Sequence, residues 1–224
     1  MRIKQYFALF LAVAMALALG GCRPGPTGGS NKTIAPAQLT DEEEALASLL
    51  NVETDSYRIF DFVFGSGREK EGEGVQSVQL TLYELSEGEW AVKSQARRAF
   101  SDARGRVALS FGKITEGVNM AIQSENMQEN MSLDKITQSD TGSMSYTTSV
   151  LTESADLELD KETPLAIQIV TSKNDIQSYG VQYFEMPREY AKHGYEHVYA
   201  ITVMFSEKTV YELADSAAPK SETK

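Results

Sequence analysis

The chain of 224 residues has one cysteine, two histidines, one tryptophan and six prolines. Each scarcity excludes something. A single thiol rules out a disulfide framework and thiolate metal clusters within one chain. Two imidazoles leave little room for the histidine-based acid–base sets common in hydrolases. Basic residues are also short. Residues 1–21 hold two of the 21 Lys and Arg, Arg2 and Lys4, and none of the 32 Asp and Glu. The chain from Cys22 onward therefore carries 19 bases, 32 acids and a formal charge of −13. Nucleic acid is not an expected partner, because phosphate binding needs a basic surface. No G-x-S-x-G elbow, phosphate loop or dinucleotide fingerprint occurs, so no cofactor and no catalytic residue are expected. Hydrophobic residues make up 42% and aromatics 9%, which is enough for a packed core and too much for a disordered chain.

The lone cysteine ends a patterned segment, MRIKQYFALFLAVAMALALGGC. Arg2 and Lys4 are followed by an apolar run from Tyr6 to Leu19, and Gly20 and Gly21 precede Cys22. This is the layout of an export signal. The run is shorter than the ~20 residues a membrane-spanning helix requires. Leu19-Gly20-Gly21-Cys22 resembles the lipobox of bacterial prolipoproteins. That resemblance covers residues 1–22. It implies removal of the signal peptide 1–21, lipidation of Cys22 and attachment to the extracytoplasmic face of a cell-envelope membrane. The expected partner is then a membrane, reached through the lipid. Two or more acyl chains hold a protein stably where a single chain is marginal.

Residues 22–39 read as the lipidated cysteine and a flexible linker, since RPGPTGGSNKTIAPAQ mixes Pro, Gly, Ser and Thr. A single β-rich domain is expected over 40–213, and a disordered tail over 214–224. Thr40-Asp41-Glu42-Glu43 has the form of a capping box and opens a short helix over about Asp41–Leu50, with Leu46, Leu49 and Leu50 on one face. The pattern then changes to period two. Tyr57–Phe64, Val75–Leu85, the stretch from Trp90, Val107–Phe111, Val118–Ile122, Met144–Leu151, Leu165–Val170 and Val198–Phe205 read as strands. Gly180–Phe184 is a weaker strand signal. Met127 and Met131, four apart, suit one or two helical turns or a loop. The fold class expected is mainly β: an antiparallel β-sandwich-like domain with a short N-terminal helix.

Three constellations invite a functional reading. His193-Gly194-Tyr195-Glu196-His197 matches H-x-x-E-H, in which two histidines on one helix face bind zinc. Gly194 is a poor helix interior residue, and a strand would set the two rings ~13 Å apart. A metal-dependent hydrolase using His193 and His197, with Glu189 or Glu185 as a third ligand, is thus an alternative rather than the main expectation. Asp156, Glu158 and Asp160 alternate with Leu157 and Leu159, as on a solvated acidic strand face. The late tyrosines Tyr179, Tyr183, Tyr190, Tyr195 and Tyr199 form the third group, beside Phe184. Exposed on a sheet, they could bind a protein or carbohydrate ligand. The leading expectation is a non-catalytic binding or envelope-associated module. An accessory subunit of an envelope complex is a further alternative, for which an exposed apolar patch would be the sign.

Overall fold

The structure is a computed structural model that describes residues 32–49, 57–65, 74–137 and 144–217. The signal-like segment and Cys22 lie outside the described residues, as do the side chains of Leu46, Leu49 and Leu50.

The chain forms two antiparallel sheets, with strands at β1 Lys32–Pro36, β2 Tyr57–Phe64, β3 Ser77–Ser86, β4 Glu89–Ala99, β5 Arg104–Ser110, β6 Val118–Gln123, β7 Gln128–Leu133, β8 Ser145–Val150, β9 Ala155–Asp156, β10 Thr163–Thr171 and β11 His197–Ser206. Helices are α1 Asp41–Leu49, α2 Pro187–Ala191 and α3 Val210–Ala217. The first sheet has the order β7-β6-β5-β2-β1-β9 and the second β4-β3-β11-β10-β8. The domain is mainly β and sandwich-like, as the period-two patterning predicts.

Alternation explains the core. On β2, Phe60, Phe62 and Phe64 point inward; on β5, Val107, the partner of Phe60, and Leu109 share that face. On the second sheet Val78, Leu80 and Leu82 oppose Phe205, Val203 and Ile201. The sheets meet where the Phe62 and Phe205 rings lie 4.7 Å apart, flanked by Phe64 and Phe100. Interlocked side chains of two inner faces are the usual core of a sandwich. The β3–β4 hairpin turns through Glu87-Gly88, both at positive φ (53° and 82°), the conformation that matches strand twist in a two-residue loop.

Several expected boundaries are corrected. Residues 32–36, assigned to the linker, form β1. This strand pairs with β2 on one side and β9 on the other, and its Ile34 is fully buried. One inward apolar residue in a short segment is too little signal to separate from a linker. Met127 and Met131 belong to no helix. Gln128–Leu133 is a strand in which Met131 and Leu133 face the core. Val181–Glu185 is a 3-10 turn rather than a strand. Residues 214–217, assigned to the tail, belong to α3, which runs to Ala217; the rest of the expected tail lies outside the described residues.

β11 is central to the second sheet and buried at nine of its ten residues. Its inner face is apolar. Its outer face, with Thr202 and Ser206, is covered by the turn around 158–162 and by the segment 176–195, which carries the 3-10 turn and α2. That second covering layer shapes the candidate site.

Candidate binding groove

The outer face of β3 and β11 carries a polar stripe that is out of solvent: Ser77, Gln79 and Thr81 on β3, Thr202 and Ser206 on β11. Buried polar groups need partners, and two carboxylates supply them. Ser206 donates to Asp160. Glu162, immediately before β10, accepts from four side chains: Gln79 Nε2 (3.2 Å), Thr81 Oγ1 (3.1 Å) and Tyr83 OH (3.2 Å) at Oε1, and Thr202 Oγ1 at Oε2. Gln79 in turn accepts from Arg97 Nε. Burial raises the Tyr83 phenol well above its usual range, and the Glu162 charge adds to the effect. Tyr83 is therefore a fixed donor at any ordinary pH.

Glu162 also lines a groove of about 560 Å³, together with Val150–Asp156, Lys161, Thr163, Pro164, Gly180–Gln182 and Glu185. The edge strands β8 and β9 both contribute to its lining, through Val150 and through Ala155 and Asp156. Asp156 in its wall pairs with Thr33 of β1, so it sits close to where the chain enters the domain. Glu153, Asp156 and Glu185 are exposed carboxylates of the groove's lining, and the Glu185 charge also acts on Lys161. Lys161 is held by Glu158 at 3.0 Å, a bond that raises the ammonium above its ordinary range. The groove is therefore acidic.

The late tyrosines form a different structure from the one expected. Tyr190 and Tyr199 are buried, at 1% and 0% exposure, and are unavailable to a ligand. Tyr199 points into the sandwich, stacked on His197. Tyr179, Tyr183 and Tyr195 are half-buried and committed to neighbours. Tyr179 stacks on Tyr183 at 4.5 Å, meets Tyr190 edge-on and bonds His193 Nε2 at 2.7 Å. Tyr195 stacks on His193, and its hydroxyl accepts from the Gln177 amide at 2.7 Å. Phe184 stacks on Trp90, whose indole donates to the Phe184 carbonyl at 2.7 Å. Aromatic pairs of this kind contribute ~0.5–1.5 kcal/mol each beyond burial. Tyr179, Tyr183, Tyr190 and Tyr195 thus hold segment 176–195 over the sheet.

The H-x-x-E-H residues are dispersed among unrelated partners. His193 follows α2 and bonds Tyr179. His197 opens β11, and its Nδ1 lies 2.8 Å from Glu84, which also pairs with Lys93 at 2.7 Å. Burial pushes the Glu84 carboxyl up, but the Lys93 and His197 bonds outweigh it and hold the group below its ordinary value. Glu196 accepts from Ser172 and Thr171, which lower its pKa to about 2. Glu189 pairs with Lys192. Among the described residues, no three His, Cys, Asp or Glu converge as metal ligands. The zinc alternative therefore loses its geometric premise. The acidic strand face is corrected as well: β9 ends at Asp156, and Glu158 and Asp160 lie in a turn with Asp160 at φ 62°.

The sequence reading missed Glu162 and its four donors. Gln79 and Thr81 alternate with Val78, Leu80 and Leu82, so they register as a solvent face. Glu162 stands in no motif. Comparison with protein-family models, with curated proteins and with solved structures finds no match. The class defined here is a sandwich-like β domain with a lateral acidic groove.

Proposed function

We propose that this chain is an envelope lipoprotein, anchored through Cys22 on the extracytoplasmic face of a membrane, and that its β domain is a non-catalytic binding module whose ligand lies in the lateral groove. The observation that carries the reading is the N-terminal layout: basic start, apolar run, then Leu19-Gly20-Gly21-Cys22. The fold is compatible with it. Lys32, where β1 begins, is ten residues beyond Cys22. A fully extended chain of that length reaches no more than about 35 Å, so the domain would sit beside its membrane.

The test is metabolic labelling with a fatty-acid analogue followed by membrane fractionation. The wild-type chain is expected to incorporate label and to lose residues 1–21. Cys22→Ala should do neither and should leave the membrane fraction or accumulate unprocessed. Labelled, processed Cys22→Ala protein would remove the anchor.

A further inference from the structure

A β-sandwich must deal with its edge strands, whose unpaired backbone groups invite other chains. Three of the four edges here are protected. β4 carries Lys93, Arg97 and Arg98 and a register shift opposite Leu82/Tyr83. β7 carries Glu129 and lies against β4, with Arg98 Nε 3.8 Å from Glu129. β9 is two residues long. β8, Ser-Tyr-Thr-Thr-Ser-Val, has no charge, no proline, no glycine and no register shift along β10. Its composition favours pairing.

The orientation of the free groups follows from the ladder. Leu151 N–H bonds the Leu165 carbonyl at 2.9 Å. Antiparallel pairs alternate between bonded and non-bonded. Ser149, Thr147 and Ser145 thus face β10, while Tyr146, Thr148 and Val150 turn their N–H and C=O outward. Among the described residues, no backbone bond takes those groups. Tyr146 is half exposed. At Val150 this edge runs directly into the acidic groove.

We propose that β8 is an open docking edge for an extended, lysine- or arginine-rich peptide segment, which adds as a strand and continues into the groove past Glu153, Asp156 and Glu185. Charge selects this occupant. A second copy would bring another −13 to the same edge, and like charges repel. The chain's own Arg23–Asn31, with Pro24, Pro26 and one charge, is a poor strand. Main-chain bonds would supply affinity and the carboxylates the preference for cations.

The inference rests on the binding-module reading but is tested apart from the anchor, because Cys22→Ala should bind peptide unchanged. The probe is fluorescein-labelled (Lys-Thr)4, titrated against the full chain by anisotropy and followed by amide hydrogen exchange. Comparison peptides are (Glu-Thr)4 and (Lys-Pro)4, the latter cationic but unable to form a strand. (Lys-Thr)4 is expected to bind at least tenfold more tightly than either and to slow exchange over 144–151. Tyr146→Pro removes one outward N–H at a position where an edge strand tolerates proline, and it should weaken binding at least tenfold. Glu153→Gln/Glu185→Gln leaves the strand untouched and should weaken binding at least threefold with a shallower salt dependence. If Tyr146→Pro fails to fold, this double variant and the exchange pattern decide. The proposal is overturned by equal binding of (Lys-Pro)4, by absence of binding up to about 1 mM, or by protection elsewhere in the chain. It is overturned equally by full affinity in folded Tyr146→Pro or in the double variant. Concentration-dependent protection of β8 without peptide would give the edge to a second copy instead.

Discussion

Glu162 does at the residue scale what no other carboxylate among the described residues does: it satisfies four side chains from two strands at once. Thr81 and Thr202 are completely buried, and Glu162 accepts from both hydroxyls, while Thr81 also accepts from Gln79 Nε2 at 3.0 Å. A hydrogen bond to a charged group contributes ~1.5–3 kcal/mol, and a buried donor left unsatisfied costs ~1–3 kcal/mol. Glu162→Ala is therefore expected to lower unfolding stability by roughly 2–3 kcal/mol. Glu162→Gln, which keeps one acceptor oxygen, should cost clearly less. Urea denaturation of both variants checks this, and equal losses would mean that the carboxylate is not the organising group. The tyrosines carry the opposite lesson. Their abundance between 179 and 199 is plain in the sequence, but alternation does not tell a ring packed under a loop from a ring facing solvent. Tyr190 and Tyr199 went inward because burying a large ring gains more free energy than displaying it.

At the element scale, capping was legible and pairing was not. Thr40 and Glu43 make the reciprocal box that their spacing predicts, with Thr40 N–H to Glu43 Oε2 at 2.8 Å and Glu43 N–H to Thr40 Oγ1 at 3.3 Å. Thr209 and Glu212 repeat it at the start of α3, with bonds of 2.8 and 3.3 Å. That second signal has the same T-x-x-E form and lies just before the tail expected over 214–224. β1 went unread because its identity depends on partners far along the chain, Phe60–Phe64 and Ala155–Asp156. Deleting residues through Ala37 would strip β2 of a neighbour and open the core at Ile34. Such a chain should unfold at lower denaturant concentration than one starting at Asn31, and equal midpoints would show β1 to be dispensable. The segment over the second sheet makes a pH prediction. Glu196 ties its end to Thr171 and Ser172, and its pKa falls to about 2 from an ordinary 4.5. A depressed carboxylate stabilises above its unfolded value, and that contribution is lost as pH falls through its folded one. Between pH 4.5 and 2 the segment should loosen, seen as a change in the emission of Trp90, the only tryptophan, which stacks on Phe184. Glu196→Gln should shift that transition, since its amide cannot titrate. An unchanged acid profile would remove Glu196 from the account.

For the whole molecule, the open side and the closed side of the sandwich matter most. β4 and β7 close one flank; β8 and β9 are the other two edges, and residues of both line the groove. Asp156 of the groove pairs with Thr33, next to Lys32 where β1 begins, while the aromatic layer sits toward the far end of β3. An acidic domain is not drawn down by anionic headgroups, which would leave such a groove free for a cationic partner.

Two kinds of information shaped this protein. The sequence by itself determined the local features: the alternation that makes strands, the T-x-x-E boxes that open α1 and α3, and the N-terminal layout that reads as an address. Each depends on residues within a few positions of one another, so the chain can be read in short windows. Only the tertiary structure decided which polar face is covered, which tyrosines are buried and which strands end each sheet among the described residues. Those outcomes depend on pairs such as Gln79 with Glu162 and Lys32 with Phe64, in which burial and hydrogen bonding are settled jointly by segments distant along the chain.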